Sequence, residues 1–190
     1  MASSRRMGPQ DSASSNSLLD AAERVLRDEG YAAATSRRIA EVAGLKQQLV
    51  YYYFKSMDEL LLAAFRRRTQ RGLERLARNL ESDRPVHAFW NDYFGVDANL
   101  TFEYMALANR HDGIRNEIAA FVNKARQLQS ERLAEVYREH AIANEPVSPG
   151  AAAFLMLAVS LLLRREAEIG IDAAHDDVKS VIDWCLAKFA

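Results

Sequence analysis

Residues 18–65 read LLDAAERVLRDEGYAAATSRRIAEVAGLKQQLVYYYFKSMDELLLAAF, and this stretch decides the fold. Apolar residues recur through it at helical spacing, and Gly30 and Gly44 interrupt the pattern. The spacing predicts three short amphipathic helices and the start of a fourth. The second and third, over 35–43 and 46–54, are joined by a turn at Gly44, which is the layout of a helix-turn-helix.

Local signals mark where these helices begin and which way they face. Thr35 is a good N-cap for the second helix, and Ser56 followed by Glu59 forms a capping box for the fourth. Val50 and Phe54 lie four residues apart on the third helix, so both should face the core. The polar side chains of the third helix are then left on its outer face.

That outer face carries side chains suited to reading DNA: Lys46, Gln47, Gln48 and Tyr51. Glutamine can pair with adenine through two hydrogen bonds and lysine with guanine, while Lys55 suits a phosphate. The residues alone leave a second interpretation open. In it, the helix is simply solvated within an ordinary bundle, and the tyrosines are partly buried anchors.

The same residues resemble the N-terminal DNA-binding domain of the tetracycline-repressor (TetR) family of bacterial transcription regulators. The matching segments are LLDAAERVLRDEGY, TSRRIAEVAGL and VYYYFKSMDELL. The resemblance implies a sequence-specific DNA-binding transcriptional regulator, a repressor released from its operator by a small, largely apolar effector. Lys46, Gln48, Leu49 and Tyr53 depart from the residues usual in the family, so the operator sequence does not transfer by analogy.

Carried over position by position, the resemblance implies a set of DNA contacts. Arg37 would reach a base edge or a nearby phosphate, and Ser36 would contact a phosphate. The other implied contacts are Gln47, Gln48 and Tyr51 in or at the edge of the groove, and Tyr52, Tyr53 and Lys55 on the DNA backbone.

The charge of the chain is unevenly distributed. The net charge is −1, but residues 1–80 hold 14 Lys and Arg against 9 Asp and Glu, whereas residues 81–190 hold 11 against 17. A basic first part and an acidic remainder would steer the first part toward DNA. The asymmetry therefore favours a nucleic-acid-binding head.

The chain is predicted to be all-α and to divide at Ser82-Asp83-Arg84-Pro85, where the helical pattern breaks. Arg5 and Arg6 in the N-terminal arm could enter a minor groove or belong to a plain flexible tail. Beyond the break, helices are expected near 86–94, 97–110, 113–141, 149–169 and 174–189. The predicted segments are a disordered arm over 1–15, a helix-turn-helix domain over 16–56, a connecting helix over 57–82, and a helical ligand-binding and dimerisation bundle over 83–190.

Residues 151–163 read AAAFLMLAVSLLL and are apolar on all sides. Such a helix needs burial on more than one side, which a homodimer through the last two helices would supply. The TetR resemblance implies the same arrangement, with two recognition helices on a near-palindromic operator. A helix buried within one chain is the alternative.

Aromatic and methionine side chains beyond the break are candidates for an effector pocket. A cavity lined by them would suit a small, largely apolar ligand, although the same pattern also forms plain core. The candidates are Trp90, Tyr93, Phe94, Phe102, Met105, Phe121 and Met156.

No catalytic motif stands out, so a non-enzymatic protein without cofactor or metal is expected. The lone Cys185 excludes an intramolecular disulfide, and the clusters at 111–112 and 175–177 fit ordinary charge at helix starts. No apolar run is long enough to span a bilayer and no secretory signal is recognisable, so a cytoplasmic location is expected. The alternative function is an all-helical small-molecule-binding or scaffold protein without specific DNA recognition.

Overall fold

The computed structural model describes residues 12–140 and 147–189, and the regular elements in that part of the chain are all helical. The all-α prediction is therefore confirmed. The predictions for Arg5, Arg6 and the Phe94 side chain lie outside the described part. The helices are α1 (Ala13–Glu29), a 3-10 helix (Tyr31–Ala33), α2 (Ser36–Val42), α3 (Gln48–Tyr53), α4 (Met57–Leu80), α5 (Pro85–Phe94), α6 (Ala98–Leu107), α7 (Asp112–Glu139), α8 (Pro149–Glu168) and α9 (His175–Ala187).

Helix α1 begins inside the segment that the sequence assigned to the disordered arm. The Ser12 hydroxyl caps the helix by accepting a hydrogen bond from the backbone N–H of Ser15 at 3.2 Å, and Ser15 is itself buried. The helix ends at Gly30, whose φ of +77° favours glycine, as the sequence predicted.

The chain divides into two compact units, and the division differs from the predicted boundary. One unit joins the chain up to Gln70 with Asn99–Ile118, and the other joins Arg71–Ala98 with the chain from Ala119 onward. Helices α4 and α7 each contribute residues to both units.

The first unit contains the helix-turn-helix and an additional segment, Asn99–Ile118. Leu100, Tyr104 and Ile114 of this segment are buried in the same core as α1 to α4. They join the unit because their apolar side chains complete that core, a pairing that the break near Pro85 did not indicate. Val50 and Phe54 are buried as predicted, and the apolar faces of α1 and α2 are buried with them: Leu18, Ala22, Val25, Leu26 and Ile39.

The second unit has its own core, in which α5 packs against α8. Helix α8 buries Ala153, Met156 and Leu163 in this unit. Its other side carries exposed large apolar residues, among them Leu155 and Leu162. Only part of the apolar surface of α8 is therefore covered within the chain. Within the described ranges, no helix combines the length and apolar character needed to cross a membrane.

Candidate nucleic-acid interface

The turn between α2 and α3 has the backbone geometry of a helix-turn-helix. The Thr35 hydroxyl accepts from the backbone N–H of Arg38 at 3.2 Å and caps α2, as predicted. At the other end, the N–H of Leu45 donates to the carbonyl of Ala40 at 2.9 Å, which closes a Schellman-type turn around Gly44. Gly44 has a φ of +69° that other residues adopt only with strain. The turn therefore fixes how α3 leaves α2.

Most of the predicted DNA-contacting side chains lie on the surface of this motif. Because the core-facing Val50 and Phe54 are buried, the opposite side of α3 and the residues just before the helix face outward. Two of the predicted residues differ: Ser36 is 7% exposed and Tyr53 is 8% exposed. The exposed members of the predicted set are Arg37, Lys46, Gln47, Gln48, Tyr51, Tyr52 and Lys55.

Tyr53 belongs to the core of the first unit rather than to the outer face. Its ring meets that of Tyr52 edge-on, with centroids 4.9 Å apart and planes at 78°. This packing orients the exposed Tyr52 ring. The sequence placed three consecutive tyrosines on the DNA side, but a helix turns about 100° per residue, so three consecutive side chains cannot all lie on one face.

Ser36 connects the two helices of the motif through its side chain. Its hydroxyl oxygen accepts one hydrogen bond from Nε2 of Gln47 at 2.9 Å and another from the hydroxyl of Tyr51 at 3.1 Å. The family resemblance implied a phosphate contact for Ser36. The spacing of residues in the sequence did not indicate its hydrogen bonds across the turn to Gln47 and Tyr51. Gln47 and Tyr51 are exposed, yet both are held in place from α2.

Arg37 and Arg38 are neighbours in sequence but lie in different surroundings. Nε and Nη2 of Arg38 donate to the Glu29 carboxylate at 2.9 to 3.1 Å, and Nη1 lies 3.2 Å from Glu41. The hydrogen bond from Arg38 lowers the pKa of Glu29, and the pairing with carboxylates raises the pKa of Arg38. Arg38 thus joins α2 to α1, which leaves the exposed Arg37 as the cation that α2 presents.

The arginines of α4 also engage carboxylates. Nη2 of Arg67 lies 2.6 Å from Oδ1 of Asp20 and 3.2 Å from Oε1 of Glu23, joining α4 to α1. Arg66 pairs with Glu117 at 2.9 Å. In the sequence alone, a row of arginines along a helix is compatible with a solvated face or with phosphate contacts. For Arg66 and Arg67 the structure shows interhelical ion pairs instead.

His111 takes part in a contact that the sequence did not reveal. Its Nε2 lies 3.2 Å from the hydroxyl of Tyr31, and its Nδ1 lies 3.4 Å from Oδ1 of Asp58 at the start of α4. Glu103 of α6 accepts from the backbone N–H of Tyr31 at 3.1 Å. Together these contacts hold the Asn99–Ile118 segment against the helix-turn-helix within the first unit.

The candidate effector residues fall into both compact units. Trp90, Tyr93 and Met156 are buried in the core of the second unit, and Phe121 belongs to the same unit and is half-buried. Burial raises the pKa of Tyr93, whose hydroxyl also hydrogen-bonds to the buried Gln129. Phe102 and Met105 instead lie exposed on α6 in the first unit.

A capped, glycine-turned helix pair with an exposed polar face on its second helix defines a helix-turn-helix DNA-binding protein. Residues 18–64 match the family described as bacterial regulatory proteins, tetR family. The match covers the helix-turn-helix itself, and the chain is a DNA-binding transcriptional regulator.

Similarity to individual proteins agrees with the family. The chain is 29% identical over 139 residues to the HTH-type transcriptional regulator in the dhlA 5′ region of Xanthobacter autotrophicus, covering 67% of this chain and 69% of the relative. It is 45% identical over 49 residues to the HTH-type transcriptional regulator BetI of Rhizobium meliloti, covering 26% of this chain and 24% of BetI. The crystal structure of a putative TetR-family transcriptional regulator from Rhodococcus sp. has the same fold, with a TM-score of 0.68 at 17% identity over 92% of this chain and 97% of the other.

Proposed function

We propose that the protein is a homodimeric repressor that binds a near-palindromic operator through α2 and α3 and leaves it when a small, largely apolar effector binds. The observation that carries the proposal is the exposed face around α3, where amide, cationic and phenolic side chains lie on a helix that the Gly44 turn joins to the Thr35-capped α2. Side chains of these types are the ones that pair with base edges in the major groove.

In the proposed complex the exposed residues divide by role. Gln47, Gln48 and Lys46 face base edges, and Arg37 reaches a base or a nearby phosphate. Tyr51 lies at the edge of the groove, while Tyr52 and Lys55 contact phosphates and Ser36 adds one phosphate contact. Phosphate contacts fix the register of the protein on DNA, and base contacts give the sequence preference.

The last two helices support the dimer in this proposal. Helix α9 exposes Val181 and Trp184, and α8 exposes Phe154, Leu155 and Leu162. Apolar surface of this extent is stabilised by burial against a second copy. A two-fold dimer would place its two α3 helices in major grooves about one DNA turn apart, roughly 34 Å.

An effector site in the second unit is the remaining part of the proposal. The buried aromatic residues Trp90 and Tyr93, with Met156 and the half-buried Phe121, are the candidates that share one unit. A ligand that favours a dimer geometry unsuited to the operator weakens DNA binding, and DNA then weakens ligand binding by the same factor. A repressor of this kind acts in the cytoplasm, where it meets the chromosome.

The DNA-reading function is tested by selecting bound duplexes from a random pool with purified protein. We expect enrichment of a two-fold symmetric site, lost in the Arg37→Ala/Gln47→Ala double variant. Both residues are exposed, so their loss should leave folding unchanged. If the folded wild-type protein enriches no site in the absence of ligand, the alternative stands: an all-helical binding or scaffold protein without specific DNA recognition.

The coupling is tested once an operator and a ligand are in hand. We expect the ligand to bind more weakly to the operator complex than to the free protein, by the same factor by which it weakens operator binding. Equal ligand affinity with and without operator would contradict release by an effector.

A further inference from the structure

We propose that Ser36 is a positioning residue that sets the base preference of Gln47. The inference rests on the proposed function of α3 as the DNA-reading helix. Ser36 is the first residue of α2 and is 7% exposed, and its hydroxyl lies beneath the exposed side chains of Gln47 and Tyr51, to which it is hydrogen-bonded.

The geometry at Ser36 uses its full capacity to accept hydrogen bonds. A serine hydroxyl has two acceptor lone pairs and one donor hydrogen. Nε2 of Gln47 takes one lone pair at 2.9 Å, and the Tyr51 hydroxyl takes the other at 3.1 Å. One small side chain on α2 therefore holds two exposed side chains of the DNA-facing surface.

The bond to Ser36 determines which polar groups Gln47 can offer to a base. A glutamine amide has two N–H donors and one carbonyl acceptor. With one N–H donated to Ser36, the other N–H and the carbonyl oxygen remain. Adenine complements both groups: its N7 accepts a hydrogen bond from the N–H, and its N6 amino group donates one to the carbonyl oxygen. Because the amide is fixed at one end, it cannot rotate to present two donors outward.

The hydroxyl hydrogen of Ser36 remains available for an acceptor such as a phosphate oxygen. Hydrogen bonds in a chain polarise one another, so donation to a phosphate would strengthen the bonds that Ser36 accepts from Gln47 and Tyr51. Ser36 would then contact a phosphate, which fixes the position of the protein on DNA, and at the same time orient the Gln47 amide that contacts a base.

The test compares discrimination between bases at a single operator position. The position is the one at which Gln47→Ala loses its preference, and the readout is the ratio of affinities for the preferred base and its best competitor there. We expect Ser36→Ala to lower this ratio roughly five- to tenfold, the effect of about one hydrogen bond. Ser36→Thr, which keeps the hydroxyl, should preserve the ratio. Ser17→Ala is the matched control, because Ser17 is a helical serine of α1 whose hydroxyl donates to the carbonyl of Ala13.

Two further measurements separate positioning from a simple phosphate contact. In a double-mutant cycle, Ser36→Ala should change the ratio little once Gln47 is already alanine, because the two residues act through one bond. In the free protein, the side-chain amide resonances of Gln47 should shift in Ser36→Ala and not in Ser17→Ala. Melting curves establish that each variant is folded.

Several outcomes would overturn the role of Ser36 alone. These are a Ser36→Ala variant that loses affinity equally for every duplex, effects of Ser36→Ala and Gln47→Ala that add fully, or a Ser36→Thr variant as impaired as Ser36→Ala. A folded wild-type protein that selects no operator overturns the proposed function, and the role of Ser36 falls with it. The two failures are therefore distinguishable.

Discussion

The hydroxyl of Tyr104 is buried in the first unit and has no hydrogen-bond partner among the described residues. Its ring packs against Phe65 with centroids 4.6 Å apart. Burial, and secondarily the charge of Glu23, raises the pKa of Tyr104. Burying a polar atom without a hydrogen-bond partner lowers the free energy of unfolding, because its apolar neighbours cannot replace the hydrogen bonds that it made to water.

Tyr104→Phe should therefore stabilise the protein by about 1 kcal/mol, because the ring stays and only the unpaired hydroxyl is removed. The pKa is raised in the folded state, so above about pH 10 the unfolded chain releases this proton while the folded protein keeps it, and the wild-type protein loses stability as the pH rises. The advantage of the variant should grow at alkaline pH. Urea denaturation at neutral pH and above pH 10 measures both effects.

The same chemical change at an exposed tyrosine is the control. Tyr52 is 45% exposed, so Tyr52→Phe should leave the free energy of unfolding at neutral pH unchanged. A Tyr104→Phe variant that is less stable than the wild type would mean that the hydroxyl has a partner in solution.

The backbone conformation at position 44 requires a glycine there; a lack of space for a side chain does not. The φ of Gly44 is +69°, and a Cβ atom placed there would meet nothing within 4 Å. Gly44→Ala should cost about 1 kcal/mol of stability, because an L side chain is strained at that φ. Gly44→Asn should cost less, since asparagine tolerates the left-handed region. Equal thermal stability of Gly44→Ala and the wild type would contradict this account.

At the scale of the element, α2 is seven residues long and depends on its cap. A helix this short has few internal hydrogen bonds, so each satisfied terminal N–H counts for more. Thr35→Ala should cost about 1 kcal/mol, while Thr35→Ser should stay close to the wild type. Since α2 carries Ser36 and Arg37, operator affinity should fall with Thr35→Ala as well. Stability from chemical denaturation and affinity from a titration with operator give the two readings, and an unchanged stability would show that the cap is dispensable.

Helix positions followed closely from sequence because their signals are local. Helix α4 spans Met57–Leu80, and its predicted capping box is present: the N–H of Glu59 donates to the Ser56 hydroxyl at 3.1 Å, and the Glu59 carboxylate accepts from the N–H of Lys55 at 2.9 Å. Caps and apolar spacing act over a few residues, which is the range that a sequence displays.

The associations between distant elements did not follow from sequence in the same way. Nothing in the spacing of α6 shows that Leu100 and Tyr104 complete the core of the helix-turn-helix, because partners in a core are chosen by shape and connectivity. Likewise, the sequence pattern of a row of arginines is the same whether the side chains face solvent or pair with carboxylates, as Arg67 does with Asp20. In the candidate interface, the exposed face was predictable from Val50 and Phe54, but the bonds to Ser36 depend on how the turn brings α2 and α3 together.

For the whole molecule, the remaining question is what covers the apolar residues of α8 and α9. Val181 is 58% exposed and Trp184 is 64% exposed. Both belong to α9, which packs against the core of its own unit through Ile182 and Leu186. An apolar surface on a terminal helix pair, next to a compact core, has the composition of a subunit interface. A dimer joined there would also explain how a motif with a six-residue reading helix reaches useful affinity, because two half-sites bind together.

Leu162→Glu/Val181→Glu should convert the proposed α8–α9 dimer to a monomer, because each substitution puts an unpaired charge into the apolar surface that the second copy would cover. Sedimentation velocity should show the loss of the dimer, and operator affinity should fall at least tenfold as the second half-site no longer contributes. Met105→Glu is the control, since Met105 is a half-exposed apolar residue of the first unit and its replacement should leave the dimer intact. A double variant that stays dimeric would place the interface elsewhere. A wild type that is monomeric at the concentrations at which it binds DNA would remove the need for α8 and α9 in recognition.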